Sequence, residues 1–442
     1  MGDWLKMTAA DLGRAIAAGH IDPVDLTDTY LDAVAAHDLT PRIYARTTPD
    51  RARSEAMAAR DRAASGQRRS ALDGVPISWK DLFDTAGTVT EAGTKLLAGR
   101  VPDRDARVLK NATGAGLVCL GKTHMTELAF SGLGLNPMTE TPPCVNDAGA
   151  APGGSSSGAA TSVAFGLAAA GIGSDTGGSV RIPSVWNDLV GLKTTSGRVS
   201  LDGVFPLCPR FDTVGPLCRS VEDASLLLAA MEGSRPVDLT GASLSGLRFL
   251  ALQGAPLVDA EAPVLQGYEA SLTRLSAAGA VIEARSLPDA EAVLGTSGLV
   301  FASEAYGLWQ DQIEANPDAM FHQVRERFRG GATVSAPDYI AAWRKIEAHR
   351  AGYLAATAGF DAVILPTAPI MPPNVDRLNT DNDYFVRANL MALRNTRIGN
   401  LLGLCALTLP QSVPSTGLML MGAPMAEARL LRIGAAVEAE LA

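Results

Sequence analysis

Apolar and polar positions follow two different rhythms along this chain. Residues 8–65 carry a helical period. Thr8 is placed to cap a helix that runs through Ala18, with Gly19 to end it. Asp22-Pro23 signals a second start, and Leu26, Tyr30, Leu31 and Val34 form the apolar stripe behind it. Thr48-Pro49-Asp50 opens an Ala/Arg-rich helix that stops near Gly66. The period then shortens. Gly74-Val75-Pro76-Ile77-Ser78-Trp79-Lys80-Asp81 predicts a short buried strand that ends on a lysine, and residues 108–112 continue helically. Residues 123–130 read as a strand-to-helix transition. Residues 136–152 read as a long Pro/Gly/Asn loop of the kind that can line a site or simply cross the surface. A small-residue helix over 159–170, a strand over 172–175 and a turn over 176–179 follow. The segment 180–193 runs through Pro183 and Trp186 into Val190-Gly191-Leu192-Lys193.

Beyond Glu222 the pattern is ordinary α/β alternation. Strands are predicted over 247–252 and 280–284 around a helix over 263–278, with helices over 300–313 and 337–356. A strand over 361–366 leads to a Pro-rich turn, then a helix over 389–402, strands over 405–409 and 418–421, and a closing helix over 424–441 that Pro424 would start. No repeat or linker interrupts the series. The expectation is one large mixed α/β domain over 1–442, with a helical region over 1–66 packed on a catalytic core of residues 67–235.

Composition supports a globular chain: 442 residues, 47% hydrophobic and 19% charged, long enough to bury a core without disulfides. A net charge of −9 argues against a general binder of nucleic acid or acidic membranes. Five cysteines (119, 144, 208, 218 and 405), odd in number and without close pairing, suggest a reducing compartment. No C-x-x-C or His/Cys cluster offers a zinc site. The start Met1-Gly2-Asp3-Trp4-Leu5-Lys6 lacks a secretory pattern, Gly2 lacks the Ser or Thr that myristoylation needs, and the longest weakly polar run, 159–173, is short of the ~20 residues of a membrane span. A soluble cytoplasmic protein is expected.

The candidate chemistry lies in two hydroxyl clusters beside paired glycines, Gly153-Gly154-Ser155-Ser156-Ser157-Gly158 and Gly173-Ser174-Asp175-Thr176-Gly177-Gly178-Ser179-Val180-Arg181. Ser179 at a strand-to-helix turn can be a nucleophile beside an anion-binding nest of N–H groups, or a helix cap. Gly154 to Gly158 also fits the nucleophile elbow G-x-S-x-G, but the only histidines downstream, His322 and His349, lie in charged helical stretches. The base then has to be another residue type. Lys80, one of only seven lysines, ends an apolar strand; it either snorkels or is buried and neutral. Gly116 to Thr123 matches the P-loop pattern, but its interior Leu-Val-Cys-Leu is itself a strand, so nucleotide binding is rejected.

Together the Gly-Gly-Ser-Ser-Ser-Gly run, the Gly-Ser-Asp-Thr-Gly-Gly-Ser-Val-Arg run and the upstream Gly-Val-Pro-Ile-Ser-Trp-Lys-Asp element resemble the amidase signature family, over most of the chain and in the family's order. The resemblance implies a mixed central β-sheet of many strands with helices on both faces. It implies a Ser–cis-Ser–Lys triad: Lys80 as general base, Ser179 as nucleophile, and Ser155, held by a cis peptide with Gly154, as proton relay. The N–H groups of Thr176, Gly177, Gly178 and Ser179 would form the oxyanion hole, with Ser156, Asp175 and Arg181 in support. No cofactor or metal is implied. The expected substrate is a small or medium carboxamide. Pocket walls at Met125, Phe130, Ser131 and Gly132, the loop 136–152, and parts of 300–330 and 366–400 suggest an apolar acyl group. A homodimer is expected. Two alternatives stay open: the glutaminase component of a tRNA-dependent amidotransferase, working with partner chains, and a catalytically inactive binding protein. Trp186-Asn187-Asp188, Thr194 and residues 139–144 depart from the family's usual residues, which bears on substrate more than on reaction class.

Overall fold

The apolar runs become strands of one sheet. The computed structural model describes residues 4–441; Met1 to Asp3, part of the leader and Gly2 readings, and Ala442 lie outside the described residues. Among the described residues eleven strands occur: β1 (Tyr44–Thr47), β2 (Pro76–Lys80), β3 (Val118–Thr123), β4 (Ala170–Ser174), β5 (Val190–Lys193), β6 (Val214–Cys218), β7 (Arg248–Leu252), β8 (Val281–Arg285), β9 (Ala362–Pro366), β10 (Cys405–Pro410) and β11 (Gly417–Gly422). They lie in the order β1-β3-β2-β4-β6-β5-β10-β11-β9-β7-β8. The sheet is mixed. β2 runs parallel to both β3 and β4, and β7 parallel to both β8 and β9, while the strands between are antiparallel. β2 to β6 and β9 to β11 are buried almost throughout, as strands covered on both faces must be. Helices flank the sheet, as expected of the fold.

Capping chemistry places the first helices as the sequence predicts. Thr8 Oγ1 accepts from Asp11 N ahead of Ala9–Ala17, and Asp22 caps Pro23–Ala36. Both send apolar side chains (Leu12, Ile16, Leu26, Tyr30) into the main core. Four expectations need correction. Residues 8–65 are not all helical, since β1 forms the sheet edge by antiparallel pairing with β3. The small-residue helix is Ser157–Ala164 and does not reach 170. Gly166 at φ +73° turns the chain, with Gly166 N donating to Val163 O and Leu167 N to Ser162 O, and the next residues are free to enter β4. After β3 the chain makes only a 3₁₀ turn, Glu127–Ala129. The last helix begins at Glu427, so Pro424 precedes its first turn. β6 and the helix Val221–Glu232 have no counterpart among the predicted elements. Among the described residues no helix is long and apolar enough to cross a membrane.

Candidate active site

Lys80 ends β2 with its side chain fully buried. Two glycines of the neighbouring β4 let the segment that carries its partner come close. A Cβ on Gly171 would lie 2.6 Å from Ala159 O, and one on Gly173 would lie 2.5 Å from Ser156 Oγ. The small-residue helix therefore rests directly on the strand. Its approach is fixed further by Ser78 and Ser162, whose hydroxyls are 2.8 Å apart. The segment leading into that helix carries Ser155 and Ser156 to the end of β2. The Gly154–Ser155 peptide is cis. Gly154 N donates to Gly132 O, and Thr126 N to Ser155 O, so the bend is tied on both sides.

Lys80 Nζ lies 2.7 Å from Ser155 Oγ and 2.8 Å from Ser174 Oγ. Burial lowers its pKa to about 7, against the opposing pull of Asp175 and Asp212. Two other lysines are as deeply buried. Lys122 donates to Phe83 O and Thr90 Oγ1 and lies 3.3 Å from Asp81; Lys193 donates to Thr194 O and Leu404 O. Carbonyls and carboxylates only accept, so those two sites favour an ammonium. Serine hydroxyls can also donate, so the Lys80 site suits a neutral amine.

Ser179 sits on the turn after β4, and its Oγ has no hydrogen-bond partner among the described residues. It faces a small cavity of about 30 Å³, together with Thr176 and Gly177. Ser156 N donates to Ser179 O, and Ser156 Oγ bridges to the backbone of Ser174. Lys80 and Ser155 are thus joined directly, and Ser179 stands beside them without a bond to either. The N–H groups of Thr176, Gly177 and Ser179 have no partner among the described residues. Gly178 N, expected as a fourth oxyanion donor, instead donates to Asp175 Oδ1 at 2.9 Å.

That bond belongs to the clamp that shapes the turn. Asp175 also accepts from Val180 N, Asn400 Nδ2 and the Arg181 guanidinium, and Arg181 reaches Thr396 O and Asn400 Oδ1. Burial alone would raise the Asp175 pKa, but the charge and hydrogen bonds of Arg181, with Lys193 and Asn400, outweigh it and hold the carboxylate well below its usual range. Thr396 Oγ1 donates to Gly177 O at 2.6 Å. Gly178 has φ +143°, and a Cβ there would collide with Thr396 Oγ1. Thr176 Oγ1 is pinned by Asp212.

Of the expected pocket residues, Phe130 and Ser131 line the cavity. Met125 is instead a fully buried core residue whose carbonyl accepts from Asn136, and Gly132 packs under Leu393 and Ile182. The loop 136–152 contributes no lining residue; its Ala150 forms a bridge with Asn374, and its Ala151 enters a second core cluster. From the later segments come Phe301, Arg327, Leu393 and Arg397. His349 pairs with Asp289, and neither it nor His322 lines the cavity. Sequence reasoning misses Ser174, which lies inside the second hydroxyl cluster, and Asp212, Thr396 and Asn400, which carry no local signature. It also misses the two arginines.

The profile of the Amidase family matches residues 25–431. The chain is 36% identical over 456 residues to the 2-amino-5-chloromuconic acid deaminase of Comamonas testosteroni, covering 98% of this chain and 97% of that one. It is 32% identical over 486 residues to the A subunit of the glutamyl-tRNA(Gln) amidotransferase from Anaeromyxobacter sp. (strain K), covering 99% and 96%. The native peptide amidase of Stenotrophomonas maltophilia has a similar structure, with TM-score 0.84 and 27% identity over 99% of this chain and 97% of that one.

Proposed function

The chain belongs to the amidase family and is a hydrolase of C–N bonds, and on that premise we propose that it cleaves a small carboxamide through an acyl-enzyme on Ser179. Neutral Lys80 takes the proton of Ser155 as Ser155 takes that of Ser179. Ser179 Oγ attacks the carbonyl carbon, and the tetrahedral oxyanion meets the N–H groups of Thr176, Gly177 and Ser179. On collapse the C–N bond breaks, Ser155 protonates the leaving amine, and the Lys80 ammonium restores Ser155. Water repeats the sequence in the acyl-enzyme and releases the acid. Ser179 Oγ must turn onto Ser155 for the first step, and catalytic hydrogen bonds commonly tighten only with substrate bound.

One observation carries the reading: a fully buried lysine amine whose partners are two hydroxyls, one of them 2.7 Å away on Ser155. Ammonia release from a panel of amides tests it. Ser179→Ala is expected to abolish turnover, Lys80→Ala to cost about 10²–10⁴-fold in kcat, and Ser155→Ala to leave a small residue of activity. Full activity in Lys80→Ala would remove the general base from the scheme. A fluorophosphonate should label Ser179; an inactive binding protein would stay unlabelled.

The near-complete match to the glutaminase components of tRNA-dependent amidotransferases favours a second reading, in which the ammonia comes from glutamine and passes to partner chains. Glutaminase activity that appears only with co-purifying partners would select it.

A further inference from the structure

Arg397 and Arg327 both line the cavity that Ser179 faces. Arg397 is only 8% exposed, and Arg327 Nη1 is buried without a hydrogen-bond partner. Neither guanidinium makes a hydrogen bond or ion pair among the described residues. Arg181 shows what the fold does with a buried guanidinium that it uses for itself: a carboxylate, an amide oxygen and a backbone carbonyl saturate it. At Arg327 and Arg397 only the flat faces are occupied. Arg327 stacks 4.4 Å over the Phe130 ring, and Arg397 lies 5.9 Å from the Phe301 ring centre. Their N–H edges remain unused. Arg397 also borders the oxyanion turn, its Nε 3.9 Å from the position a Cβ on Gly177 would take.

Two guanidinium groups on one small cavity, Arg397 buried and Arg327 half-buried with its Nη1 fully covered, repel each other and have lost much of their water. Burial, and for Arg327 the nearby Arg397, lowers their pKa values, to about 9 for Arg327 and about 10 for Arg397, which leaves both charged at neutral pH. Such an arrangement is costly unless an anion completes it. From this geometry we infer that the substrate is the monoamide of a short dicarboxylic acid, whose free carboxylate is held by Arg397 and Arg327 while its amide carbonyl meets Ser179. The planar fork of arginine matches a carboxylate in two parallel hydrogen bonds. The small cavity favours a short acyl chain over a long one. The inference rests on the amidase reading and adds the substrate's charge to it.

The test compares malonamate, succinamate and glutaramate with neutral amides of equal length, such as butanamide, by ammonia release. At least one monoamide acid is expected to exceed its neutral counterpart by about 30-fold or more in kcat/KM, in line with what a charged hydrogen-bonded contact contributes. Arg397→Gln and Arg327→Gln should each shrink that ratio, chiefly through KM. Equal or better use of neutral amides by the wild-type enzyme overturns the inference and leaves the amidase reading standing, as does an unchanged ratio in both variants. A second measurement needs no variant: succinate should protect wild-type Ser179 from a neutral fluorophosphonate, and succinamide should not. If nothing is hydrolysed and Ser179 is not labelled, the amidase reading fails instead. Calorimetric titration with succinate and glutarate then decides the anion site by itself, saturable heat supporting it and none overturning it.

Discussion

Among the three buried lysines, partner chemistry distinguishes Lys80, the proposed base, from the other two. Lys80 touches only hydroxyls, whereas Lys193 feeds two carbonyls and Lys122 a carbonyl and the Asp81 carboxylate besides one hydroxyl. With the Lys80 pKa lowered to about 7, kcat/KM should rise about tenfold per pH unit below 7 and level off above it, for a substrate that does not titrate in that range. A flat profile from pH 5 to 9 would exclude the neutral amine as base. Lys80→Arg should be inactive, because guanidinium stays charged. The fully buried Asp175–Arg181 pair belongs to stability. Arg181→Ala leaves a carboxylate buried without its cation and should cost about 3–5 kcal/mol in urea denaturation. Asp175 is held ionised below its ordinary value of 3.8, so its contribution is complete above that pH and is lost only as strong acid titrates the folded protein. These residues differ in how legible they are in the sequence. Lys80, Ser155 and Ser179 stand in motifs whose glycines and hydroxyls announce an unusual backbone. Arg327 and Arg397 lie in polar helical stretches where a buried arginine reads the same as a solvated one. The −9 net charge gives no hint of a cationic cavity.

For the elements, the close seat of the Ser157–Ala164 helix on β4 decides whether Ser155 reaches Lys80. Gly171→Ala would drive a methyl group into Ala159 O, a backbone atom that cannot rotate away. The expected result is a loss of about 1–3 kcal/mol with a larger fall in activity, as Ser155 is lifted off the amine. Activity equal to wild type would mean that the helix can shift freely. Most strands and helices are legible from period and capping, as with Thr8, Asp22 and the apolar run before Lys80. The misses have physical reasons. β1 is four residues long and ends on two polar residues, Arg46 and Thr47, so its strand character comes from pairing with β3. The helix expected over 159–170 comes out too long because its alanines continue past Gly166 and suit either state; only the left-handed turn there separates helix from β4. β6, interrupted by Gly215 and Pro216, lacks the uniform run that marks its neighbours.

At the level of the whole molecule, residues 4–66 are structurally continuous with the sheet. Leu12, Ile16, Leu26 and Tyr30 sit in the main core, β1 pairs with β3, and Arg62 is 2.6 Å from Asp73. A chain starting at residue 67 should therefore lose its near-UV circular dichroism signal and its cooperative melting; retention of both would make the N-terminal region a separate unit. One long-range connection has a consequence during synthesis. The serine and lysine side chains lie within residues 80–179, but the turn that presents Ser179 is latched by Thr396 and Asn400, contributed by the helix Asn382–Leu401. A ribosome has to finish more than two hundred further residues before that latch exists. On the proposed mechanism, an unfinished chain thus holds all three side chains but lacks the brace that aims one of them, and should be inert toward the amides around it.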